Sequence, residues 1–398
     1  MATPPRLSHD IGARIRMHRE RRGRTQVVTA GLAGITADYL GQVERGRKTP
    51  SAGVLRALAA ALDVPVGALL GSHPDTSPAS AVGGSEPLAL ALMSAGSTPV
   101  DPDELKIRID HAWSVWQSSG YRYSRLLPEL PALIRDTEAT RRCARQRLEH
   151  RRVAACASEL YGLLRTVTRR IGRTDLSFLV ADRGMRAAED ADNPLCLAAA
   201  RWNFGHALLM ANDCDAAIEF AEQAAADVLA DDSVCSDAPA LAGALHLVAV
   251  VADARAGRYW SARDRLNDAN ALARRTDNAN NIGHTMFSGL NVALHGMWVE
   301  LDAGDAAAAL RIADRINAVE CPSVERRFTF TLDLARTYEL RREETGTLLH
   351  LLDAERSAPE DLDRDPRARD MLRRLVRSPH STSRGHAAKL AERLSVDI

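Results

Sequence analysis

The feature that most constrains this chain is a pattern of paired helices that recurs from residue 102 to the end. Each of six segments contains a helix of small and apolar residues, a tight turn and a second helix, as in RWNFGHALLMANDCDAAIEFAEQAAADV and LHLVAVVADARAGRYWSARDRLNDANALA. The predicted turns are centred near Gly120, Gly172, Asp213, Gly257, Gly304 and Glu343. Because one helix pair cannot bury its apolar face alone, such pairs stack into a superhelix. We therefore predict an all-α repeat domain over residues 102–398.

Two shorter segments precede the repeats. Residues 8–70 show the periodicity of five short helices, with Thr36 as the N-cap of the third helix and Ser51 as the N-cap of the fourth. Residues 72–101 are rich in proline, glycine and serine and poor in charge, which predicts a linker, although its LALALM stretch could dock as a short helix. The predicted organisation is a helical domain at 1–71, a linker at 72–101 and the repeat domain at 102–398.

The formal charge is balanced over the whole chain but unevenly distributed. The chain has 52 basic and 52 acidic residues, of which residues 1–71 contain 11 basic and 5 acidic ones. The first domain therefore carries a net charge of +6 and the remainder carries −6. This asymmetry predicts a polyanionic partner for the first domain alone.

Composition and motifs argue against several other classes of protein. The N-terminus lacks the apolar core of a secretory signal, and the longest apolar stretch, 241–252, is too short to span a bilayer, so we expect a cytoplasmic protein with no membrane partner. The six cysteines lie far apart, and His206, His246, His284 and His295 lack the spacing of metal ligands, so we expect no metal site. Because H-E-x-x-H, G-x-S-x-G and phosphate-binding motifs are missing, we predict no enzymatic activity, no catalytic residues and no cofactor.

The third predicted helix, within ITADYLGQVERGRKTP, has one apolar and one polar face. Leu40 and Val43 face inward, whereas Asp38 and Gln42, four residues apart, point outward together. Glutamine pairs with adenine and a carboxylate accepts from the cytosine amino group, while Ala37 is small enough to meet a thymine methyl group. An ordinary solvated face on a protein-binding module is the alternative interpretation. Residues placed to contact phosphates flank this helix or open the one before it: Gln26, Arg45, Arg47 and Lys48.

The first domain resembles the lambda-repressor-like helix-turn-helix of the XRE family of regulators. The resemblance is carried by RIRMHRERRGRTQ, by Ala30 and Gly34 in the turn, by YLGQVERGRKTPS and by LRALAAALDVPVGALL, and it covers residues 8–70. Thr29 departs from the family pattern, which usually has leucine there, so either Val28 compensates or the core is weaker. The resemblance implies that the bases are contacted by Ala37, Asp38, Tyr39 and Gln42, and the DNA backbone by Gln26, Thr36, Arg45 and Arg47.

The repeat domain resembles tetratricopeptide-like arrays, including those joined to XRE-type domains in actinobacterial regulators. Its turns are farther apart than the usual 34-residue period, so the resemblance is one of architecture. In the peptide-sensing RRNPP class of such regulators, a concave groove binds a signalling peptide and asparagines hold the peptide backbone. The resemblance therefore implies a sensor domain for a peptide, and a small-molecule effector is the other option.

Polar and aromatic residues on the first helices of several repeats are the candidate ligand contacts. His246 precedes the turn at Gly257 by 11 residues, as Trp202 precedes the turn at Asp213, so the two occupy matched positions. Buried asparagine and histidine side chains need hydrogen-bond partners, which a ligand could supply. The alternative is that the tryptophan packs in the core and the histidines bond to neighbouring helices. The predicted ligand-binding residues are Trp202, Asn203, His206, His246 and Asn291.

These inferences together predict a sequence-specific, DNA-binding transcription regulator. Its first domain binds a palindromic operator in double-stranded DNA. Its repeat domain senses a peptide or small molecule. The repeat domain also forms a homodimer, because two linked DNA-binding domains bind a two-part site better than one. The alternative from another class is a DNA-tethered scaffold whose repeats bind a partner protein.

Overall fold

The structure, a computed structural model, divides into two compact units, Met1–Ser80 and Ala81–Ile398. All regular elements in the part of the chain that it describes are helices, which confirms the all-α prediction. The described residues are 6–48, 50–62, 64, 69, 85–94, 98–231, 236–276, 281–378 and 383–397.

Four described helices form the first unit around one apolar core. Ile15, Leu40 and Leu58 are fully buried at its centre. Gly12 lies where a Cβ atom would meet the backbone oxygen of Val43 at 2.1 Å, so the missing side chain lets the first helix lie directly on the third. The predicted fifth helix falls mostly outside the described residues. The four helices are α1 (Arg6–Arg21), α2 (Gln26–Leu32), α3 (Ala37–Glu44) and α4 (Ala52–Leu62).

The second unit begins inside the segment predicted to be a linker. The LALALM stretch lies in a helix, and its Leu88 and Leu92 are buried in the apolar cluster of this unit. Arg183 Nη1 donates a hydrogen bond of 2.8 Å to the Leu92 carbonyl group and so holds the end of that helix. That residues 72–101 as a whole form a linker stays a prediction. The first helices of the unit are α5 (Ser85–Met93), α6 (Pro102–Ser118), α7 (Arg122–Leu126) and α8 (Leu130–Cys143).

Five antiparallel helix pairs follow and form the main part of the second unit. The first helices of successive pairs contact one another in a row, and each second helix packs beside its own first helix. This is the stacked arrangement expected of helical repeats. The pairs are α9 (Arg147–Arg170) with α10 (Thr174–Ala191), α11 (Pro194–Met210) with α12 (Cys214–Ala230), α13 (Ala238–Arg255) with α14 (Tyr259–Ala273), α15 (Gly289–Asp302) with α16 (Ala306–Ala313), and α17 (Val324–Leu340) with α18 (Glu344–Ser357).

The turn inside each of the five pairs uses the same left-handed backbone position. Gly172, Gly257 and Gly304 have φ values of 76°, 76° and 83° there, and Asn212 and Arg342 have 60° and 61°. Glycine ends many helices in this way because it lacks the Cβ atom that strains the left-handed region. The turns therefore lie where the sequence predicts them, within one residue.

Helix α13 is the centre of the second unit. Among the described residues it is the one helix long and apolar enough to cross a membrane, but 83% of it is buried inside the fold. Its alanine, leucine and valine side chains pack against α11, α12, α14 and α15. Burial on all sides explains why this stretch is apolar throughout.

The first and last parts of the second unit meet. Glu360 accepts hydrogen bonds from the backbone N–H groups of Tyr123 at 2.8 Å and Ser124 at 3.2 Å. The buried Arg122 guanidinium pairs with the buried Asp361 carboxylate. These contacts join α7 to the helix Pro359–Arg364 and so close the row of repeats on itself. The last helices are α19 (Pro359–Arg364), α20 (Pro366–Arg377) and α21 (Arg384–Arg393).

Candidate functional site

A tight turn in the first unit joins α2 to α3. Gly34 takes a φ of 66° in this turn, in the left-handed region that favours glycine. Both helices begin with a threonine whose hydroxyl group accepts a backbone hydrogen bond: Thr25 from Val28 N at 3.3 Å, and Thr36 from Tyr39 N at 3.2 Å. The sequence-predicted N-cap at Thr36 is confirmed.

The carboxylate of Glu44 fixes the end of α3 to the two preceding helices. It is buried and accepts hydrogen bonds from Arg19 Nε at 2.7 Å, Arg19 Nη2 at 3.0 Å and Gln26 Nε2 at 2.7 Å. Pairing of this kind makes a buried charge tolerable. Gln26, a predicted phosphate contact, is therefore oriented by Glu44, and its contact with DNA stays a prediction.

The outward face of α3 presents Asp38 and Gln42 together. Gln42 Nε2 donates a hydrogen bond of 2.8 Å to Asp38 Oδ2. Because an ionised carboxylate only accepts, the atom of Gln42 that faces Asp38 must be its amide nitrogen. The second N–H and the carbonyl oxygen of Gln42 remain, which is the donor and acceptor pair that adenine requires. Asp38 thus acts on Gln42 by fixing its orientation.

The other predicted DNA contacts surround this pair. Ala37 and Tyr39 are half-buried and pack partly against the core of the unit. Lys48 Nζ lies 5.4 Å from the centre of the Tyr39 ring, within the range of a cation–π contact. Arg45, Arg47 and Lys48 are exposed, so a cationic rim follows the end of α3.

The departure at Thr29 weakens the core of the first unit. Thr29 is fully buried, and its hydroxyl group has no hydrogen-bond partner. Val28 is 50% exposed and so does not fill the place of the missing leucine. Of the two alternatives left by the sequence, the structure favours the weaker core.

The predicted ligand residues of the second unit all lie on first helices of pairs. Trp202 is buried and meets His206 edge to face, with ring centres 4.8 Å apart. Asn203 is also buried, and its Oδ1 accepts hydrogen bonds from Arg165 Nε at 2.8 Å and Arg165 Nη2 at 2.6 Å. Its Nδ2 donates to the Ala199 carbonyl group at 3.0 Å. Asn203 is thus engaged within the fold, and a ligand contact there stays a prediction.

The row formed by the first helices of the pairs brings several cationic and imidazole groups together. His206 is half-buried, and burial together with the charges of Arg165, Arg169 and Arg326 lowers its pKa well below the ordinary value. Burial and the nearby Arg326 lower the pKa of His295 to about 4. Both imidazoles are therefore neutral at pH 7. His206, His295 and Arg326 are half-buried on the first helices of three pairs, and we call the surface that they share the inner groove.

Asn291 and His295 occupy one turn of α15. His295 Nδ1 lies 2.8 Å from the Asn291 carbonyl oxygen and must donate to it, which leaves Nε2 as an acceptor. The Asn291 side chain is 3% exposed, and its Oδ1 has no hydrogen-bond partner. An unpaired buried oxygen is rare in folded proteins and indicates a missing partner.

His246 faces away from this group. The charges that act on its pKa, which burial lowers, are those of Asp268, Arg265 and Glu222, on α14 and α12. Its Nδ1 is buried without a hydrogen-bond partner. Its surroundings therefore differ from those of Trp202, which contacts His206, and its predicted ligand contact stays a prediction.

Residues 10–70 match the family described as a helix-turn-helix domain. The first unit contains a helix-turn-helix domain. Over 63 residues the chain is 41% identical to an immunity repressor protein of Bacillus phage phi105, a match that covers 16% of this chain and 44% of the repressor. The chain thus spans less than half the length of that relative.

Two solved structures have similar chains over most of their length. One is PlcR of Bacillus thuringiensis in complex with the peptide PapR7 and DNA, 13% identical, with a TM-score of 0.29, covering 84% of this chain and 98% of that one. The other is the apo form of the competence regulator ComR from Streptococcus vestibularis, 11% identical, with a TM-score of 0.32, covering 98% and 100%.

The sequence did not predict the side chains that hold the predicted contact residues in place. In the helix-turn-helix domain these are Arg19 and Glu44, which lie 25 residues apart and show no shared pattern. In the second unit Arg165 offered a signal, because it interrupts the apolar stretch around Leu163, Leu164 and Val167. A charged residue within a buried helix face indicates a polar partner or a ligand.

Proposed function

We propose that this chain is a cytoplasmic transcription regulator whose helix-turn-helix domain binds a palindromic operator in double-stranded DNA. The observation that supports this most is the outward face of α3. Asp38 orients Gln42 there, with exposed Arg45, Arg47 and Lys48 beside it. Oriented polar groups read bases, and the flanking cations bind phosphates.

The second unit supplies dimerisation and the response to an effector in this proposal. A single domain of this size contacts only one half-site, so linking two domains through the second unit raises the effective concentration of the second one. The effector, a peptide or a small molecule, binds in the inner groove. The unpaired Oδ1 of Asn291 and the half-buried His206 support this location. The effector shifts DNA binding only by its differential affinity for the two arrangements of the dimer.

The first prediction separates base contacts from phosphate contacts in the full-length protein. Gln42→Ala should weaken binding to the preferred duplex by about 1–3 kcal/mol and relax the preference at one base pair. Arg47→Ala should weaken binding to all duplexes alike and reduce the dependence of affinity on salt. Affinities measured on preferred and random duplexes at several salt concentrations distinguish the two. Equal losses on both duplexes for Gln42→Ala would remove it from the base-reading set.

A further inference from the structure

The charges that line the inner groove are unbalanced. Four helices contribute cationic or imidazole groups that act electrostatically on one another: Arg165 from α9, His206 from α11, His295 from α15 and Arg326 from α17. The acidic residue among them is Glu325, and its Oε1 already accepts hydrogen bonds from Arg170 Nε at 3.1 Å and Nη2 at 2.5 Å. The groove therefore holds an excess of positive charge.

Two guanidinium groups in the groove lack a carboxylate partner. Arg165 is 3% exposed, and the acceptor that holds it is the neutral amide oxygen of Asn203. The Arg326 side chain is half-buried and makes no hydrogen bond or ion pair with any of the described residues. Removing a guanidinium from water is costly unless an anion or several acceptors compensate. These two cations therefore favour a bound anion.

The neutral polar side chains beside these cations indicate which group the ligand carries next to its anionic group. The two imidazoles are neutral, so they do not add to the repulsion among the cations. Asn291 Oδ1 lacks a donor and lies on the same helical turn as His295. A ligand that fits carries an anionic group together with a neighbouring N–H or O–H donor.

We propose that the inner groove is an anion-binding site, in which Arg326 and Arg165 bind a carboxylate or phosphate group and Asn291 accepts a hydrogen bond from an adjacent donor. This inference rests on the proposed function, because it names the chemical class of the effector. A carboxylate beside an N–H group is the chemistry of a peptide C-terminus, and a phosphate beside a hydroxyl group is that of a phosphorylated metabolite.

The test uses minimal probes on the full-length protein without DNA. N-acetylglycine supplies a carboxylate beside an N–H group, N-acetylglycinamide has the same shape without the charge, and inorganic phosphate supplies the other anion. Binding is measured by calorimetry and by the rise in Tm with probe concentration. We expect at least one anionic probe to bind and the carboxamide to bind at least about tenfold more weakly than the carboxylate, since charge-assisted hydrogen bonds are the stronger ones.

Two matched variants locate the site. Arg326→Gln should weaken the anionic probe by about tenfold or more. Arg341→Gln, which removes an exposed arginine paired with Glu343 at the end of the same helix, should leave its affinity unchanged. Binding of phosphate alone or N-acetylglycine alone would support the site and identify the source of the anion.

The inference is overturned if neither anion binds, if the acid binds and the carboxamide binds as tightly, or if both arginine variants behave alike. The comparison of acid with amide needs only the wild-type chain, so it decides the matter even if Arg326→Gln fails to fold. A chain that binds the anion but no DNA would contradict the proposed function and leave this inference standing.

Discussion

Thr29 is the residue at which the helix-turn-helix domain departs from a fully apolar core. A buried hydroxyl group without a partner costs about 1–3 kcal/mol. Thr29→Val removes the hydroxyl group and keeps the shape, so we expect the free energy of unfolding to rise by about 1 kcal/mol. Chemical denaturation of the full-length chain, followed at the transition of the first unit, measures the change.

Val43 provides the matched control within the same core. It is fully buried, and Val43→Thr introduces the kind of group that Thr29→Val removes. We expect Val43→Thr to lower the free energy of unfolding by about 1–3 kcal/mol. If Thr29→Val lowered stability as well, an unseen partner of the Thr29 hydroxyl group would have to be the reason.

Spacing along the chain predicted the contacts between residues that are close in sequence. It did not predict the contacts between residues that are far apart. Asp38 and Gln42 are four residues apart on one helix, so their shared face followed from the sequence, and so did the cap at Thr36. The orientation of Gln26 depends on Glu44, which is 18 residues away on another helix. Pairing of that kind depends on packing, which a single sequence does not encode by spacing.

At the scale of elements, the five helix pairs share one kind of turn, and Arg342 is an unusual residue for the left-handed position in it. It adopts the left-handed conformation that glycine fills in three of the turns. A side chain in that region costs about 1–2 kcal/mol, so Arg342→Gly should raise the free energy of unfolding by about 1 kcal/mol. Gly257→Ala is the reverse test, because no atom lies within 4 Å of the added Cβ atom and strain alone remains. A loss of stability on Arg342→Gly would contradict this account.

The helices of the inner groove make stability dependent on pH. His295 has a pKa of about 4 in the folded chain against 6.5 for an unperturbed histidine, because burial and Arg326 disfavour its charged form. Between these values the unfolded chain binds the proton and the folded chain does not, so stability falls as pH falls from 6.5 to 4. We expect His295 to contribute roughly 1–3 kcal/mol to this loss.

Thermal unfolding from pH 7.5 to 4.5 tests this contribution with two variants. His295→Gln should remove part of the pH dependence over that window. His111→Gln, which changes an exposed histidine on α6, should leave it as in the wild type. Equal pH dependence in all three proteins would show that His295 is not protonated differentially.

Periodicity predicted the helix pairs and their turns because a repeat is a local pattern. Periodicity predicted less well which neighbouring side chains each residue contacts. Trp202 and His246 hold matched positions, yet Trp202 is buried against His206 whereas His246 is half-buried near charges of α12 and α14, because a spacing count fixes the helix face and not which neighbour covers it. The groove arginines come from α9 and α17, which lie too far apart in sequence for any repeat pattern to bring them together.

At the scale of the whole molecule, the second unit is a row of repeats whose ends meet. The ion pair between Arg122 and Asp361 joins residues 239 positions apart, and Arg170 and Glu325 lie 155 apart. Contacts between residues so far apart form slowly during folding, and no local sequence pattern predicts them. The proposed effector site lies among helices from both ends of the row, because Arg165 of α9 and Arg326 of α17 both act on His206.

Selection from random duplexes tests most directly whether this chain recognises a particular DNA sequence as a dimer. The full-length protein is allowed to bind a pool of random duplexes, and the bound fraction is sequenced over several rounds. We expect enrichment of a palindrome whose half-site centres lie about 10 base pairs, or a multiple of that, apart. Gln42→Ala should lose the preference at one position of each half-site. Recovery of unselected sequences, or of a single half-site without symmetry, would contradict the account.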